Sequence, residues 1–183
     1  MIPAGYIAKK VAPRPDRLGA ARVEDIYSVS GCISKYFAPY IAYWKHNGYW
    51  LFDSIESIRS LATAHSIDIA ACQFFYYEVF DLQWDEKTRQ WQPFESDKAF
   101  ETAVIPPTDK QLEGYDIVTF QARTSPECSP LSCNGLAQTT LTNRHCLMNS
   151  LEEAKQQVES GAFDESEPGP FRIFAVYTLR SIQ

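Results

Sequence analysis

The chain lacks any run approaching the ~20 apolar residues of a membrane-spanning helix, which argues against a span. Its opening Met1-Ile-Pro-Ala-Gly-Tyr6 lacks the charged-then-apolar order of a secretory signal. The eight glycines are scattered. They form neither a phosphate-cradling loop nor a dinucleotide fingerprint, so nucleotide-dependent chemistry is disfavoured and no cofactor is expected. Histidine is scarce, at three residues, and no metalloprotease helix or calcium loop is present. Positive charge is also short: 17 Lys and Arg stand against 23 Asp and Glu, a net charge of −6. Residues 1–22 carry +4 of that balance and the remainder −10. An acidic body of this kind argues against a nucleic-acid surface, which needs clustered Lys and Arg.

Five cysteines make an odd count without framework spacing. Without an export signal, they read as reduced thiols of a cytoplasmic protein. Hydrophobic residues reach 45% and aromatics 14%. Together with 183 residues, that is enough for one well-buried core. The aromatics cluster in alternating segments, as pleated sheet favours.

The most constraining positive feature is an internal resemblance. Asn47-Gly-Tyr-Trp-Leu51-Phe-Asp53-Ser54-Ile-Glu56 aligns, 96 positions on, with Asn143-Arg-His-Cys-Leu147-Met-Asn149-Ser150-Leu-Glu152. Asp25-Ile26 and Asp116-Ile117 open apolar runs upstream, while Phe74–Leu82 and Phe171–Leu179 trail the two copies. Internal repetition constrains a fold more tightly than local propensity does. The pattern predicts an α+β fold: a mostly antiparallel sheet with two main helices on one side, built from two pseudo-repeated ββαβ-like units. Residues 1–22 read as an irregular basic arm, 23–107 as the first unit and 108–183 as the second, the units sharing one compact domain. Within the units, Val23–Ser30, Tyr49–Phe52, Cys72–Trp84, Tyr115–Gln121, Cys146–Met148 and Phe171–Leu179 read as strands. Trp91–Phe94 should return as a hairpin partner. Asp53 or Ser54 should cap one helix, and Ser150 with Glu153 has capping-box spacing for the other.

Candidate chemistry centres on Ser125-Pro-Glu-Cys128-Ser-Pro-Leu-Ser-Cys133-Asn-Gly135, where prolines and a glycine fix an unusual path around two thiols. One reading makes Cys128 or Cys133 a nucleophile, with His145 as proton acceptor and Asn134, Asn143 or Asp116 orienting the imidazole. Such chemistry needs a thiolate near positive charge or a helix N-terminus. Other readings are zinc held by Cys128, Cys133, His145 and Cys146, a reversible Cys128–Cys133 disulfide, or plain packing cysteines in a shaped loop. The zinc spacings are poor, with adjacent His145 and Cys146 badly placed to share one ion, so no metal site is expected.

The long first connection carries Tyr36, Phe37, Tyr40, Tyr43, Trp44, Tyr49 and Trp50. On a loop, Tyr43, Trp44 and Trp50, with Asn134 from the other loop, could hold a ligand or anchor a protein partner. Glu78 interrupts an apolar strand and would be a buried acid with a raised pKa if it points inward. The leading expectation is a non-catalytic binding protein that engages a protein or small molecule through its two long loops. A cysteine-dependent hydrolase or transferase is the alternative.

Overall fold

The structure, a computed structural model, describes residues 1–31, 47–123 and 125–180, and the backbone of 35–36. Among the described residues the protein is a mixed α/β fold with an antiparallel sheet and two α-helices. The central pair is β5 (Gln73–Val79) and β9 (Phe171–Leu179), antiparallel, with Tyr76 opposite Tyr177 and Glu78 opposite Ala175. Outside β5 lies β1 (Ile2–Lys10), with Tyr6 opposite Tyr76. Outside β9 lies β8 (Lys110–Thr119), with Tyr115 opposite Ala175. The hairpin of β6 (Leu82–Asp85) and β7 (Gln90–Pro93) joins β9 at Trp84 and Phe171. A two-residue strand, β4 (Lys35–Tyr36), pairs with the end of β1. A separate short ladder joins β2 (Ala12–Pro13) to β3 (Asp25–Ile26).

The N-terminal segment departs most from the sequence reading. Residues 2–10 are a strand, not part of an irregular arm, and Ala4 to Lys9 are buried. Pro3 and Gly5 look like loop residues, but they flank a bulge in β1, where each is tolerated. The rest of that segment is spent internally: Arg22 donates to the carbonyls of Ala137, Thr140 and Thr142, and Arg17 to that of Cys133. The predicted strand over 23–30 shrinks to β3, because backbone donors of Glu24, Asp25 and Tyr27 turn instead to the carbonyls of Arg144 and His145. Residues 49–52 and 146–148 form single bridges, Tyr6 to Phe52 and Tyr115 to Met148, rather than strands. The predicted strand over 72–84 breaks between β5 and β6, where Phe80 N–H bonds Ile173 C=O.

Both helices have mechanisms legible in their first turns. In α1 (Ile55–Ala64) Ser54 Oγ accepts from Ser57 N–H at 3.1 Å, and in α2 (Leu151–Glu159) Ser150 Oγ accepts from Glu153 N–H at 3.1 Å. Ile58 of α1 buries against Tyr6, Ala8 and Tyr76. Ala154 and Val158 of α2 bury against Ile117, Phe171 and Ile173. The strand registers put these strand residues on one face of the sheet, so both helices cover the same side. The other face holds Ile7, Phe75, Tyr77, Val118, Phe174 and Val176 beneath the connecting segments.

Two tight places recur. Gly5 has φ +133°, and a Cβ there would meet Phe52 O at 2.6 Å and Leu51 Cβ at 2.8 Å. Gly114 has φ +149°, and a Cβ there would meet Met148 O at 2.7 Å and Leu147 Cβ at 2.8 Å. Each glycine sits at a strand bulge and lets a following turn lie against the backbone. Those turns are organised by Asn47 and Asn143. Asn47 Oδ1 accepts from Tyr49 and Leu51 N–H, while its amide donates to Ala4 C=O. Asn143 Oδ1 accepts from His145 and Leu147 N–H, while its amide donates to Glu113 C=O. Trp50 and Cys146, the fourth residues of the two turns, have φ of 54° and 62°.

Candidate functional site

The Asn143 turn delivers His145 to the end of the sheet face opposite the helices. Its backbone is held by Asn143 and by Tyr27 N–H, which donates to His145 C=O at 3.1 Å. The ring lies flat against Tyr27, centroids 3.9 Å apart and planes 15° from parallel. Nδ1 sits 2.5 Å from Asp25 Oδ1, and Nε2 sits 3.6 Å from Glu113 Oε2. Each ring nitrogen therefore faces a carboxylate, within hydrogen-bond distance on the Asp25 side alone. Glu113 Oε1 in turn accepts from Thr178 Oγ1 at 2.5 Å.

Of these groups, Tyr27, Glu113, His145 and Thr178 line a cavity of about 480 Å³ with Gln73, Gln111 and Arg144. Burial raises the Tyr27 phenol above its ordinary range, against the opposing hydrogen bond from Gln73 and reinforced by the charges of Asp25 and Glu113. Arg144 reaches Glu24 at 3.4 Å on the exposed rim. Cavities of about 520 and 550 Å³ lie at the start of α1 and beside residues 161–166. Neither holds an imidazole between carboxylates, so the His145 cavity is the better candidate.

The sequence-predicted residues disperse. Cys128 Sγ donates to Asn134 Oδ1 at 3.5 Å, and Cys133 Sγ lies 3.6 Å from Ser30 Oγ. His145 is turned to Asp25 and Glu113, so the expected thiol–imidazole pairing is replaced by a carboxylate–imidazole one. Cys146 is buried, and burial pushes its thiol up to about 12, away from thiolate character. Asp116, one candidate orienting group, is wholly buried and accepts from Ser28 Oγ, Val29 N–H and Ser129 Oγ rather than meeting the imidazole. Among the described residues, no group of three or more His, Cys, Asp and Glu side chains is arranged to hold a metal ion. Trp50 is half-buried after the Asn47 turn, away from the residues lining the His145 cavity, and Tyr43, Trp44 and Cys32 lie outside the described residues. Glu78 faces a polar cluster, and its carboxyl shifts down rather than up as expected. Burial pushes its carboxyl up, but hydrogen bonds from Lys110, Tyr177 and Tyr76 outweigh that and hold it below the ordinary value.

Sequence reasoning missed Asp25, Tyr27, Glu113, Gln73 and Thr178. They come from four separate segments, and the one signal tying them together was the His145 position within the repeated turn.

No protein-family model, curated protein or solved structure matches this chain. Function therefore rests on the geometry. Among the described residues, no helix is long and apolar enough to cross a membrane.

Proposed function

We propose that this protein is a non-catalytic, cytoplasmic binding protein whose His145 cavity takes a small ligand, neutral or cationic and rich in hydrogen-bonding groups. The observation that carries the reading is the cavity wall itself. Tyr27, Gln73, Gln111, Glu113, His145 and Thr178 all end in donors or acceptors and converge on about 480 Å³. Two carboxylates flank the one imidazole, and Arg144 is paired with Glu24 at the rim, so the balance of charge disfavours an anion. Nucleic acid is disfavoured on the same ground.

The test is ligand-observed NMR with free amino acids, polyamines and monosaccharides, on the native protein and on His145→Ala and Gln73→Ala variants. Saturation transfer to one class, lost in both folded variants, is the expected result. Absence of any variant-sensitive binding would remove the reading.

The cysteine-dependent alternative now has to work without His145 as base, since that ring engages Asp25 and Glu113. Iodoacetamide labelling at neutral pH separates the two: rapid modification of Cys128 or Cys133 favours the enzyme, and uniform slow labelling the binder.

We further infer that the Asn47 and Asn143 turns descend from one ββαβ-like unit present twice. Supporting this are the matched glycine bulges, the matched asparagine bonds and the two serine caps. In that arrangement β1, not residues 23–30, corresponds to β8.

A further inference from the structure

Two Asn-Gly pairs occur among the described residues, and the fold treats them oppositely. In Asn47-Gly48 the asparagine is buried, its carbonyl fixed by two backbone donors and its amide by Ala4 C=O. Asn134-Gly135 lies in an exposed turn of the cysteine loop, with Gly135 at φ +77°. Asn134 is held by side chains alone: its Oδ1 accepts from Cys128 Sγ at 3.5 Å and its Nδ2 donates to Glu167 Oε1 at 3.3 Å. Among the described residues, no backbone acceptor takes the Gly135 N–H. A Cβ at Gly135 would have only Gln138 Nε2 near it, at 3.5 Å, so this side of the glycine is loosely packed.

We infer that Asn134 is a site of spontaneous deamidation in the folded protein, with Cys128 assisting. The backbone nitrogen of Gly135 attacks Asn134 Cγ, and a new bond forms between them. Negative charge then collects on Oδ1, where the Cys128 S–H already donates, as a donor aimed at developing oxyanion charge should. The bond from Cγ to Nδ2 breaks, and ammonia leaves with the proton given up by Gly135. Water then opens the cyclic imide on either side of its nitrogen, yielding aspartate or isoaspartate and one new negative charge. That charge faces Glu167, so an attractive contact becomes a repulsive one, and the cysteine loop loosens from residues 165–170.

Peptide mapping by mass spectrometry tests this on the full-length protein, incubated at mildly alkaline pH, native or in concentrated urea. In the native protein Asn134 should convert faster than Asn47 by at least about tenfold, because Asn47 reacts only after its buried turn opens. In urea the two sites should react at comparable rates. Equal native rates, or an Asn134 that reacts only in urea, would overturn the proposal. Cys128→Ala should slow the native reaction at Asn134 and leave the urea rate unchanged; an unchanged native rate would overturn the role of the thiol.

Discussion

The Asn47 and Asn143 turns share a backbone plan and differ in what they hold. At the third position of the first turn, Tyr49 is buried and packs against Phe120 and Phe174, with centroids 6.1 Å away in each case. At the third position of the second, His145 stacks on Tyr27 and opens onto a polar cavity. Beside Tyr49 the sheet supplies Arg172, wholly buried, its guanidinium 4.0 Å from the Phe94 ring centroid. Beside His145 it supplies Gln73 and Thr178. One turn closes a core and the other borders a polar cavity. A backbone arrangement fixed by glycine and asparagine thus leaves the neighbouring side chain free to serve either end.

The strongest way to break this comparison is at the bulges. Gly5→Ala and Gly114→Ala should each destabilise the protein by about 4 kcal/mol, combining left-handed strain with a carbonyl that cannot move aside. Urea midpoints measure it. A cost under about 1 kcal/mol at either position would mean that the turn does not depend on that close approach.

Next in size is the contrast between the third positions. Tyr49→Ala should cost about 3 kcal/mol as a cavity opens among aromatic rings, whereas His145→Ala should cost about 1 kcal/mol. Equal costs would show that His145 is a packing residue like its counterpart. The organising asparagines should behave alike. Asn47→Ala and Asn143→Ala each strand two backbone N–H groups and one carbonyl, at about 2 kcal/mol. A difference between them above about 1 kcal/mol would separate the two turns energetically.

A last contrast concerns the flanking strands, each of which buries one titratable side chain. Burial lowers Lys9 on β1 to about 7 from 10.5, against the pull of Asp116, and raises Asp116 on β8 to about 6 from 3.8, against its hydrogen bonds and Lys9. Between about pH 7 and 10 the unfolded state holds a proton on Lys9 that the folded state lacks, so stability rises with pH. Between about pH 4 and 6 the folded state holds the extra proton, on Asp116, so stability falls as pH rises. Stability from this pair is least near pH 6–7, with limbs of at most about 1.4 kcal/mol per pH unit. Lys9→Met should flatten the alkaline limb in urea titrations, and a limb that persists would assign it to another group.

Much of the periodic structure was legible. Ser54 and Ser150 announced their helices because a cap acts within one turn, and the hairpin around 85–90 lay between alternating aromatics. Residues 2–10 were not legible as a strand. Pro3, Gly5 and two adjacent lysines carry loop signals locally, and only the bulge and the burial of Lys9 reverse them. The site was less legible still, since His145 was visible but its partners Asp25 and Glu113 lie far away in the sequence.

By itself the amino-acid sequence determined two capped helices, an aromatic antiparallel sheet and a recurring Asn-to-Glu segment, because caps and alternation act over a few residues. Only the tertiary structure decided that β1 flanks the sheet, that Lys9 is buried, and that an imidazole stands between two carboxylates. Those outcomes depend on which distant segments meet, and strand pairing and desolvation set that across the whole molecule.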